Sequence, residues 1–228
     1  MLGLSIVIPV YKEKKNLIIL VKRIYKKIKI DNFEIIIIDD DSNDGSFDVL
    51  KKLKSKFKKL KFFIRKKKPR DLSRSCIMGF QKSKFDKILV MDGDLQHNPK
   101  YILRMIKIMK NKNCDVVVGV RDLINSRVKS LSFFRQSASY ILIKFLNLIF
   151  GKKTIDPMSG FFLFKKKLYK KNKKRFLGEG YKILSDILYN SKNKIIVKDF
   201  VIIFKRRLKD KSKMNYKILL MVIKLYIF

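Results

Sequence analysis

The run Phe33-Glu34-Ile35-Ile36-Ile37-Ile38, followed at once by Asp39-Asp40-Asp41, limits the folds open to this chain more than any other segment. A continuous β-branched stretch reads as a strand buried on both faces, and such strands belong to parallel sheets covered by helices. The turn that follows, Asp39-Asp40-Asp41-Ser42-Asn43-Asp44-Gly45-Ser46, has the oxygen spacing of half a calcium loop. It lacks the rest: Lys51 stands where the twelfth-position Glu is needed, and a strand precedes the loop where an EF-hand has a helix. Ser-Asn-Asp-Gly-Ser ahead of Phe47-Asp48-Val49-Leu50 instead caps a helix.

A second acidic turn has the same setting. Ile88-Leu89-Val90-Met91 runs into Asp92-Gly93-Asp94-Leu95-Gln96-His97-Asn98-Pro99, which sets two carboxylates one residue apart before a Pro-marked helix start. Taken alone, Asp-Gly-Asp is also ordinary turn chemistry. Paired with the first cluster, it points to a hard divalent ion, Mg²⁺ or Mn²⁺, held by one or two carboxylates with substrate phosphates and water completing the shell.

The periodicity predicts alternating strands and helices. Strands are expected at Leu4–Val10, Glu34–Ile38, Leu60–Ile64, Lys87–Met91 and Asp115–Val120, and helices at Asn16–Ile28, Phe47–Phe57, Ser73–Ser83 and Tyr101–Lys110. That alternation makes a doubly wound α/β sheet, which takes ligands at the carboxyl ends of its strands. Pro9, Asp39–Asp41 and Asp92–Asp94 all fall at such ends, so three segments converge on one crevice. Beyond it, Arg127–Phe150 reads as one or two helices with a strongly apolar face. Asp156–Phe162 reads as a loop entering a short strand, Lys165–Lys174 as a basic helix, Ile195–Phe204 as a strand and Lys205–Lys213 as a basic loop.

The length of 228 residues suits one domain with a full core. The net charge of +37 suggests anionic partners: nucleic acid, an anionic membrane or phosphate-rich substrates. Lys, Ile, Asn and Phe are abundant throughout, as in any protein of an AT-rich genome, and about half the excess charge is assigned to that drift. Cys76 and Cys114 are too few for a disulfide framework or a zinc site, so a reducing, cytosolic setting is expected. The amino terminus reads as a strand and not a signal peptide. No apolar stretch reaches the ~20 residues of a membrane span. Ser139–Phe150 and Tyr216–Phe228 are nonetheless apolar enough to lie in a membrane surface.

Several motifs in order resemble family 2 glycosyltransferases of the GT-A fold, in the branch of dolichol-phosphate mannose synthases and related polyprenyl-phosphate glycosyltransferases. The resemblance runs from about Leu4 to Met214. Ile8-Pro9-Val10-Tyr11-Lys12-Glu13 resembles IP-x-Y-N-E, Asp39-Asp40-Asp41-Ser42 with Asp44-Gly45-Ser46 resembles D-D-x-S-x-D-G-[ST], and Met91–His97 resembles M-D-x-D-L-Q-H. Gly119-Val120-Arg121, Asp156 with Ser159-Gly160-Phe161, Gly180–Leu184, and Phe204 through Ser212-Lys213 complete the set. The chain departs at Lys12 (Asn in the family), Asp210 (Gly), Phe162 (Arg) and Asp186 (Glu).

The resemblance implies a GT-A domain over 1–214, a Rossmann-like doubly wound mixed sheet with an amphipathic interface helix at 139–150, and a short apolar and basic helix at 215–228. It implies that Pro9, Tyr11, Glu13, Ile38 and Asp40 hold the nucleoside of a sugar-nucleotide donor. Asp92, Asp94 and Gln96 would surround the metal and the donor diphosphate, with Gly93 letting the backbone approach. Arg121, Arg207 and Lys213 would bring positive charge to the phosphates, while Arg121, Arg135 and Ser139 would meet the acceptor phosphate; Asp94, Arg121 and Arg135 would carry catalysis. His97 reads as a turn residue, not a ligand or base.

The implied activity is inverting, metal-dependent transfer of mannose or glucose, from a donor such as GDP-mannose or UDP-glucose, to a polyprenyl phosphate. The enzyme would sit peripherally on an anionic membrane at its cytoplasmic face. One alternative is a related transferase acting on a sugar hydroxyl, with Asp156 as base. A basic nucleic-acid-binding protein is a further class, but the acidic clusters sit where phosphates would bind, and no specific nucleic acid is expected.

Overall fold

In the computed structural model, residues 3–121, 153–176, 180, 183–191 and 195–203 are described. β1 (Leu4–Val10) and β2 (Phe33–Asp39) are buried along their whole length, as their apolar runs require. The β-branched side chains of Ile35 to Ile38 point alternately into two separate cores, and helices cover both. Between the strands lies α1 (Lys14–Lys27), whose Leu17, Leu20, Val21 and Ile24 form one buried stripe at helical spacing. The remaining elements are α2 (Ser46–Lys56), β3 (Leu60–Ile64), α3 (Leu72–Lys82), β4 (Lys87–Val90), a 3-10 turn Pro99–Tyr101 running into α4 (Ile102–Asn111), and β5 (Val116–Arg121). These match the periodicity to within one or two residues, apart from the 3-10 start that Pro99 and its Asn98 cap impose.

Past the undescribed stretch come β6 (Phe162–Lys165), α5 (Lys166–Asn172), a 3-10 turn Lys173–Arg175, α6 (Ile183–Asn190) and β7 (Val197–Ile202). The sequence reading contained no helix at α6. The expected basic helix is shorter than read and ends in the 3-10 turn. The apolar segments expected at 139–150 and 215–228 lie outside the described residues, as does the basic loop at 205–213. Among the described residues no helix is long and apolar enough to cross a membrane.

The seven strands form one mixed sheet in the order β3-β2-β1-β4-β6-β5-β7. All pairings are parallel except those of β6, which runs antiparallel between β4 and β5. The carboxyl ends of the other six strands therefore share one edge. Leu4, Ile6 and Ile8 pack with α1, α2 and α4 on one face, while Val7, Ile36 and Ile38 pack with α3, α5 and α6 on the other. α3 lies so close to β1 that a Cβ on Gly79 would stand 2.3 Å from Cγ1 of Val7.

Candidate active site

The carboxyl edge brings the two acidic turns together, because β1 lies directly between β2 and β4. The loop after β1 is stitched to the loop after β2. Asp40 N–H donates to the Val10 carbonyl at 2.9 Å, Lys12 N–H to Ser42 Oγ at 2.8 Å, and Lys14 N–H to Asp44 Oδ2 at 3.1 Å. Asp44 also accepts the N–H and hydroxyl of Ser46, closing the start of α2. On the other side of β1, a Cβ on Gly93 would meet Val10 Cγ1 at 2.7 Å and Glu13 Cγ at 3.6 Å. Pro9, Tyr11, Glu13, Ile38, Asp40, Asp92, Gly93, Asp94 and Gln96 thus gather along the ends of three adjacent strands. β5 ends at Arg121 on the same edge. Arg135, Ser139, Arg207 and Lys213 lie outside the described residues.

Within this group the environments differ sharply. Asp92, Asp94 and Gln96 are half-buried and alternate with buried Gly93, Leu95 and His97. The Asp92 side chain is 32% exposed. Asp94 Oδ1 accepts the Gln96 N–H at 3.1 Å, which folds the turn back on itself. His97 is buried, its ring stacked on Phe161 with centroids 5.0 Å apart, and its Nδ1 accepts the Asp92 N–H at 3.0 Å. That ring therefore holds the turn's backbone from inside.

The wall opposite Asp92 is the loop entering β6. Ser159 Oγ donates to the Gly119 carbonyl at 2.7 Å, and Gly119 N–H donates to the Phe161 carbonyl at 2.8 Å, which fixes the loop to β5. A Cβ on Gly160 would stand 2.7 and 2.9 Å from the Asp92 carboxylate oxygens. The absence of a side chain there leaves room at a carboxylate facing the crevice. Asp156, buried one turn earlier, accepts the Ser159 N–H through its carbonyl at 3.2 Å.

Asp39 and Asp40 are buried, in contrast to Asp92. Asp39 Oδ1 accepts the N–H and hydroxyl of Ser42, while Oδ2 has no hydrogen-bond partner among the described residues. Burial pushes the Asp39 carboxyl above its ordinary range, and the Ser42 hydrogen bonds oppose that shift. Asp40 Oδ1 is 2.6 Å from Nη2 of buried Arg65, and Oδ2 accepts the Asp71 N–H at 2.7 Å. Arg65 also donates to the carbonyls of Lys67 and Pro69, so it braces the loop that carries Arg70. The Arg70 guanidinium lies 4.7 Å from the Tyr11 ring centroid, a cation–π contact at the Tyr11 end of the crevice.

Arg65, Arg70 and Asp71 were missed from sequence. Arg65 and Arg70 bracket a lysine run and read as ordinary surface charge, whereas Asp71 ahead of Leu72-Ser73 carried a helix-cap signal that could have found it. Among the described residues no three His, Cys, Asp or Glu side chains form a ready-made metal cage. Two carboxylates and an amide at one turn are the smaller oxygen set typical of Mg²⁺ or Mn²⁺ sites that share their ion with substrate phosphates.

A doubly wound mixed sheet with two acidic turns on its carboxyl edge is the architecture of a GT-A glycosyltransferase. A sequence model described as "Glycosyl transferase family 2" matches residues 5–172, and the chain belongs to that family. It is 33% identical over 216 residues to the dolichol-phosphate mannosyltransferase of Pyrococcus furiosus, covering 93% of this chain and 59% of the relative. It is 28% identical to the dolichol-phosphate mannosyltransferase of Mycosarcoma maydis, covering 82% and 65%. The chain thus spans less than two thirds of the length of either relative. Among solved structures, glucosyl-3-phosphoglycerate synthase of Mycobacterium tuberculosis with Mn²⁺, UDP and glucosyl-3-phosphoglycerate superposes with a TM-score of 0.68 at 12% identity, over 91% of this chain and 73% of that one. TarS 1–349 of S. aureus gives 0.60 at 16% identity, over 89% and 58%. At these identities the structures support the fold.

Proposed function

We propose that the protein transfers a hexose, mannose or glucose, from a nucleotide-diphosphate sugar to a polyprenyl phosphate at the cytoplasmic face of a membrane, with inversion at the anomeric carbon. The observation that carries this reading is the half-exposed Asp92-Gly93-Asp94 turn on the carboxyl edge of a chain 33% identical to a dolichol-phosphate mannosyltransferase.

In this reading Pro9, Tyr11, Glu13, Ile38 and Asp40 form the nucleoside side of the crevice. Arg65 and the Asp71 N–H each take one oxygen of Asp40, so its contact to the donor uses the lone pairs that remain on a four-site acceptor. Asp92, Asp94 and Gln96 would hold Mg²⁺ or Mn²⁺, which when bound would supply Lewis-acid neutralisation of the leaving diphosphate. Arg121, Arg207 and Lys213 add positive charge to the phosphates, and Arg121, Arg135 and Ser139 orient the acceptor. An acceptor phosphate oxygen attacks the anomeric carbon as the bond to the diphosphate breaks. A lipid phosphate is ionised near neutral pH, so the step needs no general base, and alignment with charge neutralisation carries the catalysis.

The test is incubation with membranes and labelled GDP-mannose or UDP-glucose, followed by organic extraction. The expected result is extractable label that chelation abolishes. Label confined to water-soluble glycan would favour a hydroxyl acceptor with Asp156 as base, and no transfer from any sugar nucleotide would overturn the reading.

A further inference from the structure

A second route, of hydrogen bonds and chain connections, links the two acidic turns. It starts at Asp40, whose Oδ2 accepts the Asp71 N–H at 2.7 Å. Asp71 is the N-cap of α3, with Oδ1 accepting the Arg74 N–H at 2.9 Å. A helix cap needs one acceptor oxygen, and Ser or Asn supplies it as well as Asp does. Asp71 uses its second oxygen elsewhere: Oδ2 accepts the backbone N–H of Gly180, 109 positions away. Ser73, in the same first turn of α3, directs its N–H at 3.0 Å and its hydroxyl at 2.8 Å to the Gly180 carbonyl. Both polar groups of one residue are therefore held by three donors and acceptors of one helix end. Gly180 has φ of +77°, in the left-handed region that favours glycine.

α6 begins three residues on from Gly180, past 181 and 182, which lie outside the described residues. Ser185 Oγ donates to the Pro157 carbonyl at 2.8 Å. Pro157 belongs to the loop whose Gly160 stands against the Asp92 carboxylate. The hydrogen bonds of this route are joined by the chain itself, from Gly180 to Ile183 and from Pro157 to Gly160.

We propose that Asp71 is a positioning residue: its carboxylate fastens Gly180 to the loop that carries Asp40, and so ties the nucleoside side of the crevice, through α6, to the wall beside Asp92. Donor occupancy and the placement of that wall are then coupled. The inference rests on the donor reading given above and deepens it, because it makes nucleoside binding set up the place where the diphosphate departs.

Asp71→Asn separates this role from helix capping. Asn keeps an oxygen for the Arg74 N–H, but its amide nitrogen then faces the Gly180 N–H, donor against donor. The measurement is amide hydrogen exchange at Gly180 and in α6, with and without GDP-mannose or UDP-glucose in the presence of Mg²⁺, alongside steady-state kinetics. In wild type the bound nucleotide sugar slows exchange at these amides. In Asp71→Asn the nucleotide sugar still binds, within about threefold, but the added protection is lost. The kcat falls at least about tenfold, the size of one lost hydrogen bond to a charged group, while donor KM is nearly unchanged. Ser73→Ala, which retains the backbone link, shifts both readouts the same way by less, and it decides the question should Asp71→Asn fail to fold. Donor-induced protection equal to wild type in the folded variant overturns the inference, as does a rise in donor KM matching the fall in kcat. If wild type binds nucleotide sugar without any change in exchange, the coupling is wrong while the donor reading stands; if it binds none, the donor reading itself falls and takes the coupling with it.

Discussion

Lys12 sits at φ of +58°, a left-handed conformation that Asn tolerates better than Lys. The family's Asn at this position therefore has a local backbone reason, whatever else it contacts. We predict that Lys12→Asn stabilises the protein by up to about 1 kcal/mol, read as a higher urea midpoint at constant slope. At Asp94 the expectation is chemical. Asp94→Asn should lower transfer by at least about 100-fold and remove metal-dependent nucleotide binding without moving the unfolding transition, since the side chain lies on a half-buried turn. Normal metal-dependent binding and near wild-type turnover in this variant would show that the motif has been misassigned.

Glu34 supplies a pH-dependent term remote from the site. Burial alone would raise its carboxyl, but hydrogen bonds from Lys61, Ser5 and the Lys84 N–H outweigh it and hold the group below its ordinary value. The folded state thus binds this proton more weakly than the unfolded chain does. Its contribution is present above the unfolded value and is lost as pH falls through the lower, folded one. Glu34→Gln should therefore lower the urea midpoint at neutral pH, and the gap to wild type should shrink as pH falls below about 4.3. A gap independent of pH would assign the effect to packing. The effect should be modest, because the Lys61 side chain is about half exposed.

At the scale of elements, the success of sequence reading followed the strength of local periodicity. α1 shows a buried stripe against an exposed basic face, and the sequence placed it to within two residues. α6 is different. Seven of its eight residues are buried, including Asp186, so it has no polar face to set a period and went unread. The short strand at β6 was anticipated, but its insertion antiparallel between β4 and β5 was not, since four residues carry no record of their neighbours. Packing between elements is testable at Gly79, where Val7 Cγ1 leaves no room for a Cβ. Gly79→Ala should destabilise by about 1–3 kcal/mol through displacement of α3 from β1, despite the better helix propensity of Ala. An unchanged or raised melting temperature would mean that α3 can shift at no cost.

For the whole molecule, charge and apolar surface make separable predictions. A chain of net charge +37 will meet anionic vesicles through electrostatics, and high salt screens that attraction. Insertion of an apolar helix face survives salt. If 139–150 is such a face, the protein should remain on anionic vesicles after a high-salt wash, and Leu142→Asp with Leu146→Asp should release it still folded. Complete release of wild type by salt would reduce the interaction to charge, and misfolding of the double variant would mark the segment as core.

The sequence by itself determined the element order from β1 to β5, the parallel character of those strands and the strand ends at which carboxylates fall. Each of these follows from patterns a few residues long: a β-branched run, a 3.6-residue stripe, an Asp-Gly turn. Tertiary structure decided how far each carboxylate is exposed and which protein groups hold it. Asp40 and Asp92 look alike in sequence, each at the end of an apolar strand. Asp40 is held by Arg65 and by the Asp71 N–H, both of which follow β3 in the chain, while Asp92 faces a glycine delivered by a loop 68 positions later. Those partners meet only when distant strands pair and helices close over them, and the free energy that brings them together comes from burying the whole sheet, not from any property of the residues near either aspartate.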